Sequence, residues 1–504
     1  MTTSIRARFG FSLFANLSKA VVTFGTGMLV ARGLGPEQYG TMMFLLGTFA
    51  ATRQLLDMGS STAFFTLLSQ RQRGRRFVFW YFAWLGMQFL VPLLFVGLLL
   101  PDAWLALIWK GEQRTLVLLA FVAAYLQSVL WSAVLQMGES QRLTRSVQGV
   151  ALAITLVHFL LMAMAWWGDR LDIRWIFMVM SIEWAIAAAV IVKQLRFPAI
   201  PNEPDTLKSV TSEFWCYCMP LIPYAWLGFV YEFADRWLLQ TYAGSVQQAY
   251  YAVAYQFGAI AAIATSSILN IFWKEIAEAY HQQNHERVVL LYRQVSRGLF
   301  FVAAAGAGFL APWAEEILRI TLGAAYVGGA ATLMIMFFYP LHQSMGQIGG
   351  TMAYATGRVS VYVKLGMVFM ASSMVVTYFV LASPDAIFPG LGLGSLGLAG
   401  KMVVMQLLSV NALAYYLARS LGIKFDWLFQ PASALACLSA GYLAYVIPNS
   451  LTEVASHLWL AIFVAGILYA AMLLAVVGFA PGLAGLTRSD IDGVIVKGMR
   501  MVGR

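Results

Sequence analysis

Eight ionisable side chains, Lys19, Arg53, Asp57, Glu183, Glu232, Asp235, Arg236 and Lys401, sit inside long apolar stretches of the chain. A charge at the centre of a bilayer costs about 2.5–3.5 kcal/mol on insertion scales, so such residues pair with one another or face a wet interior. The cations Lys19, Arg53, Arg236 and Lys401 suit an anionic ligand and together would make a cationic cavity. The acids Asp57, Glu183, Glu232 and Asp235 are the groups able to take up a proton or a sodium ion. Arg53 and Asp57 lie one helical turn apart, which leaves two readings open: an internal ion pair, or contact with a ligand. Glu183 and Lys401 have no partner nearby in sequence, and each is either a cavity residue or half of an interhelical pair. His158 reads as a hydrogen-bonded core histidine.

Neutral polar residues recur at helical spacing around these charges. Ser12, Asn16, Lys19, Thr23 and Thr26 follow one another at steps of three and four, which puts them on one helical face. Tyr217, Tyr224, Gly228, Tyr231 and Asp235 share another face, near Pro220 and Pro223, whose missing donors kink a helix and free carbonyls. Tyr255, Ser266 and Asn270 belong to the next apolar run. Tyr339, Gln343, Gly346, Gly350 and Tyr354 share a face later, with His342 and Gln347 beside it. The amides, hydroxyls and rings of Asn16, Thr23, Tyr224, Tyr231, Asn270 and Gln343 suit either the hydroxyls of a sugar or plain interhelical packing.

Membrane helices must position all of these groups. The 504 residues are 60% hydrophobic and 11% charged, with a mean hydropathy of +0.73, whereas soluble domains are about a quarter charged. Apolar runs near 9–31, 41–67, 77–100, 115–137, 146–167, 175–195, 214–240, 249–273, 298–321, 328–355, 360–382, 396–418, 428–447 and 458–480 each approach the roughly 20 residues a crossing needs. The expected fold is all-α and integral to the membrane: two six-helix lobes, 1–208 and 209–425, then 426–504 with two extra helices and a basic tail. The proline-rich polar segment 197–205 marks the joint. A weak repeat supports two lobes, since Gly35–Phe49 and Gly244–Phe257 each place a glycine and a polar pair before an aromatic helix start. Lys19 interrupts the first run and no small-residue cleavage site follows, so that run is expected to be a retained helix.

Charge distribution sets the sidedness. Most of the 33 Lys+Arg residues fall on one side of these crossings, while the other holds Arg32, Lys110, Arg114, Arg170, Arg174 and Arg319. The positive-inside rule puts the basic side, with both termini, in the cytoplasm. The segment Arg488–Arg504 reads as a basic amphipathic tail on anionic lipid or as a disordered charged end. Spread across loops in this way, the formal charge of +10 does not indicate a nucleic-acid partner.

Catalytic patterns are missing. Gly392-Leu393-Gly394-Ser395-Leu396-Gly397 has the spacing of a dinucleotide fingerprint, but it joins two apolar runs without a preceding strand and reads as a hairpin. No P-loop, zinc-ligand spacing or nucleophile elbow occurs, so no catalytic residue, cofactor or metal is expected. Cys216, Cys218 and Cys437 lie in apolar runs, and the first two point apart on a helix, which suggests no disulfide.

One stretch is more specific. Leu29-Val30-Ala31-Arg32-Gly33-Leu34-Gly35-Pro36-Glu37-Gln38-Tyr39-Gly40, between the first two crossings, reads physically as a tight hairpin. It resembles the polysaccharide transporter family, including Wzx-type O-antigen flippases, of the larger superfamily that also contains multidrug exporters and the lipid II flippase. The resemblance implies a multidrug-exporter-like pair of lobes in a bacterial inner membrane. It also implies a non-enzymatic flippase that moves a polyprenyl-diphosphate-linked oligosaccharide to the periplasmic leaflet for surface polysaccharide synthesis, by alternating access with ion coupling. A cation-coupled multidrug exporter is the nearest alternative, and fourteen crossings with Leu34-Gly35-Pro36-Glu37 argue against it. A membrane glycosyltransferase or polymerase using the same lipid-linked sugar is a further alternative, and the acids on the short external loops form no compact cluster to support it.

Overall fold

The computed structural model describes residues 5–195, 205–422, 424–451 and 456–490, with side chains outside 5–11, 13, 260–271 and 273. The expected joint at 197–204 and the tail from 491 onward lie outside the described residues. Among the described residues every regular element is helical, as hydrocarbon demands, because each backbone donor must find its acceptor within its own segment. Among the described residues ten helices are long and apolar enough to cross a bilayer, and the bent pair Ala324–Met336 and Tyr339–Ala355 makes an eleventh if taken as one span.

Two helices are double. Ile5–Asp57 is 53 residues long and broken at Gly35 (φ 73°, ψ 170°), and Ile222–His281 is 60 residues long and broken at Gly244 (φ 80°, ψ −178°). That backbone conformation is essentially closed to residues with a side chain, so one glycine separates two helices in each case. Split there, the helices are α1 (5–34), α2 (36–57), α3 (Arg75–Leu99), α4 (Arg114–Ser140), α5 (Thr144–Trp167), α6 (Ile173–Val192), α7 (207–243), α8 (245–281), α9 (His285–Thr321), α10 (324–355), α11 (Val359–Leu381), α12 (Gly394–Ser420), α13 (Phe429–Ser450) and α14 (Leu458–Phe479). Each expected crossing coincides with one of them. The second begins at Pro36 rather than 41, because proline's fixed φ and missing donor suit the first helical position. Asp57 ends α2, and a short helix, Ser60–Gln70, follows the turn at Gly59. In α7, Pro220 lies in a 3-10 turn, Met219–Leu221, and Pro223 opens the helix behind it.

The chain forms two compact units, residues 1–252 with 374–394, and residues 253–373 with 395–504. These limits follow packing, and α7 packs with the first unit although crossing number groups it with the later helices. In the first unit Phe64 stacks on Tyr81 at 3.7 Å between ring centroids, within a core that includes Phe77, Leu85, Trp131, Met137 and Ile191. α1 lies against α5 and the loop after it, so closely that a Cβ on Gly33 would stand 2.4 Å from Leu171 and 2.8 Å from Trp166.

The second unit is built on Phe272, Ile276, Val288, Leu299, Ile348, Met352 and Leu413. Here α13 meets α9 glycine to glycine: a Cβ on Gly441 would come 1.9 Å from the Gly308 carbonyl oxygen. Without a hydrophobic drive between helices in lipid, such close approach supplies the attraction by contact. Tyr469 of α14 donates to the Ala305 carbonyl at 2.8 Å, which holds the last helix on α9 as well. The hydropathy of α14 averages 2.7 over a window only 17% buried, as a lipid-facing helix requires.

Candidate functional site

The two glycine breaks meet. Gly40, five residues past the break in α2, lies where a Cβ would be 1.7 Å from the Ser245 carbonyl oxygen at the start of α8. Thr41 and Ser245 share a hydroxyl–hydroxyl hydrogen bond of 3.1 Å, and Gln240 Nε2 donates to the Ser245 hydroxyl at 2.8 Å. Thr41 also hydrogen-bonds Glu112 in the loop before α4. An ionised carboxylate only accepts, so the chain of donors runs from Gln240 through Ser245 and Thr41 to Glu112. Partial burial pushes the Glu112 carboxyl above its ordinary value, and the Thr41 bond opposes part of that shift. The same loop reaches α7, with Lys110 Nζ 4.0 Å over the Trp237 ring and Trp237 Nε1 donating to Leu107 at 3.3 Å. Burial lowers the Lys110 pKa. Beside this interlock Gln248 is fully buried, and neither amide atom has a hydrogen-bond partner among the described residues.

Most of the charged candidates fall in the first unit. Lys19 donates to Gln148 at 2.8 Å, and Gln148 in turn donates to Glu139 at 3.3 Å. Arg53 and Asp57 do not pair. Both oxygens of Asp57 are taken by the start of the next helix, through the Gly59 and Ser61 N–H groups (3.2 and 2.9 Å) and the Ser60 and Ser61 hydroxyls (3.0 and 2.9 Å). Asp57 is thus a helix cap, and Arg53 has no ion-pair partner among the described residues.

Glu232 accepts from Gln54 of α2 at 2.6 Å, and Gly228 makes the room, since a Cβ there would be 2.3 Å from Gln54 Oε1. Asp235 accepts from Thr377 of α11 at 2.7 Å. Arg236 lies 5.2 Å over the Tyr251 ring and beside Gly47, and its buried Nη1 has no hydrogen-bond partner among the described residues. Glu183 meets His158 at 2.8 Å, so the interhelical pair, not an isolated cavity acid, describes it. Asn16 and Thr23 are exposed, Tyr224 is exposed and Tyr231 half-buried.

Lys401 and Gln343 belong to the second unit. Lys401 is buried, and Gln343 Oε1 is buried with no partner among the described residues. The glycines on the Gln343 face serve packing: Cβ atoms on Gly346 and Gly350 would come 2.9 Å from Val410 and 3.4 Å from Tyr362. His342 pairs with Gln430, which Asn411 also engages. The Asn270 side chain lies outside the described residues. Gln148, Glu139, Gln54, Thr377 and Ser245 escaped sequence reasoning, because each acts across helices and carries no local pattern. Among the described residues no cluster of metal-ligating side chains occurs, and the three cysteines are free.

Residues 5–273 match the family described as "Polysaccharide biosynthesis protein". The chain belongs to that family. A comparison with curated proteins returns no match. Among solved structures, this polysaccharide biosynthesis family member is similar to the lipid II flippase MurJ in an inward closed conformation. The TM-score is 0.69 at 13% identity, over 93% of this chain and 99% of that one. It is also similar to a multidrug resistance MATE family transporter of the MOP superfamily in an inward-facing conformation, with a TM-score of 0.59 at 14% identity, over 80% and 95% of the two chains. A MOP superfamily transporter from Pyrococcus furiosus gives a TM-score of 0.53 at 12% identity, over 82% and 94%. The fold of this family member is therefore that of the MOP transporters, an all-α, multi-pass membrane architecture.

Proposed function

We propose that the protein is a secondary transporter, not an enzyme, that flips a polyprenyl-diphosphate-linked oligosaccharide across the bacterial inner membrane for surface polysaccharide synthesis. The observation that carries this reading is the pair of incompletely answered guanidinium groups inside membrane helices of the first unit, Arg53 without an ion pair and Arg236 with a buried, unbonded Nη1. Guanidinium forks match diphosphate oxygens, and a buried donor left without a partner costs stability that an anionic ligand would return. Lys19 and Lys401 add positive charge, and the exposed polar face with Asn16 and Thr23 suits sugar hydroxyls.

Glu183, Glu232 and Asp235 are the carboxylates proposed to couple transport to a proton or sodium ion, and Asp57 serves as a cap. The basic side and both termini are cytoplasmic, by the positive-inside rule. The lobes are 1–208 and 209–425, with 426–504 appended, and transport proceeds by alternating access. The interlock of Gly40 and Thr41 with Ser245, on the sparsely basic side, acts as the outer closure.

Reconstitution with a labelled lipid-diphosphate oligosaccharide tests the proposal. Wild type transfers the cargo between leaflets unchanged, whereas Lys19→Ala and Arg236→Ala slow the transfer. Undiminished transfer in both variants refutes the cationic assignment, and cleavage of the lipid–sugar bond by the pure protein refutes the transporter.

A further inference from the structure

A cleft of about 470 Å³ opens in the first unit between the end of α2, α3 and the start of α7. Its walls are largely apolar, with Trp80, Tyr81, Trp84, Phe214 and Trp215 among them. The rim is open: Leu207, Met87 and Trp215 are exposed. At the start of α3 the cleft adjoins a second hollow of about 590 Å³, which shares Trp80 and Leu207 with it and is lined by Arg75, Arg76 and Thr206. An apolar trough thus ends in a basic mouth where the apolar span begins.

Arg75 and Arg76 put two cations at that mouth. The buried Arg73 pairs with Asp205 at 2.8 Å and with Glu213, and Arg71 pairs with Glu213 at 2.9 Å. This clasp fixes the start of α7 against the loop before α3, and it answers the acidic Asp205 of the hollow internally. At the inner end Asp57 has both oxygens occupied by four donors, so its carboxylate does not call for water. An apolar wall offers water few partners, so apolar chains suit this cleft better than solvent does.

We infer that this cleft binds one anionic phospholipid of the leaflet on the basic side, its headgroup phosphate on Arg75 and Arg76 and an acyl chain along Trp80, Trp84 and Trp215. Head and tail follow the order of the bilayer, with guanidinium groups at headgroup level and apolar walls deeper, so the lipid sits in its leaflet without inversion. None of Lys19, Arg53, Arg236 and Lys401, the helix-embedded cations assigned to the transported cargo, lines this cleft.

The test uses the full-length protein in nanodiscs that hold equal amounts of phosphatidylglycerol and phosphatidylcholine with identical acyl chains, with retained lipid counted by native mass spectrometry. Wild type retains phosphatidylglycerol in preference. Arg76→Gln lowers that preference about fivefold, the factor expected for one cation near an anionic headgroup. Ala83→Trp, and Met87→Trp as a second filling variant, reduce retention of both lipids. Equal retention of the two lipids by wild type, or an unchanged preference in Arg76→Gln, overturns the inference. Displacement of the phosphatidylglycerol by added polyprenyl diphosphate also overturns it and gives the cleft to the cargo. The readout is bound lipid and not transfer, so a negative result leaves the transport proposal standing.

Discussion

At Glu112 a single carboxylate sets the direction of the hydrogen-bond chain that joins the two glycine hairpins. Its folded pKa lies above the ordinary 4.5 because partial burial outweighs the Thr41 bond. A carboxyl shifted upward favours the fold while protonated, and that contribution disappears as pH rises through the shifted value. Glu112→Gln is therefore expected to raise the unfolding midpoint relative to wild type at neutral pH, and the difference should shrink as pH falls below 4.5. Thermal unfolding in detergent across pH checks this. Arg73 makes a second prediction at the same scale. Its side chain is 2% exposed and its partner Asp205 is 5% exposed, so Arg73→Met strands a buried carboxylate and should cost about 3–5 kcal/mol. Arg73→Met with Asp205→Leu should recover part of that loss, as a denaturation series would reveal. Neither partnership was legible in the sequence, where Arg73 was one basic loop residue among several and Asp205 one acid of a polar joint.

At the scale of elements, glycines decide how the helices end and meet. Gly35 and Gly244 hold the same rare backbone conformation at corresponding points of the two repeat segments. The repeat, weak in sequence, is therefore a repeat of backbone geometry. Gly35→Ala and Gly244→Ala should each cost about 1–3 kcal/mol through backbone strain, although at neither glycine is there a neighbour within 4 Å of an added Cβ. Gly441→Leu tests close packing instead. The 1.9 Å approach to Gly308 leaves no space for a side chain, so α13 should separate from α9, visible as faster proteolysis after residue 424 while the first unit stays protected. Helix existence and glycine punctuation were readable in advance, because hydropathy and glycine conformational freedom are local properties. The glycine-to-glycine contacts were not, because they need two helices at once.

For the whole molecule, the expectation is a topology and a transport direction. In a background with Cys216→Ser, a cysteine at Asp169 should react with an impermeant thiol reagent added outside intact cells, and one at Asp490 only after permeabilisation. The reverse pattern would invert the assigned sidedness. Transport by the reconstituted protein should fall in Arg236→Ala without a matching fall in unfolding midpoint, because the Nη1 of Arg236 has no hydrogen-bond partner to lose among the described residues.

The sequence by itself determined the membrane class, the all-helical fold, the position of each long helix and the glycine–proline interruption at Gly35-Pro36. These follow from local composition: an apolar run must satisfy its own backbone in lipid, and a glycine–proline step must interrupt a helix. Only the tertiary structure decided which charges are answered. Asp57 sits one turn from Arg53, yet it turns to the helix start behind it, and Glu183, without a partner nearby in sequence, finds His158 on the neighbouring helix. The energy of a charge inside a membrane depends on what stands within a few ångströms, and that neighbourhood forms only when helices far apart in sequence come together.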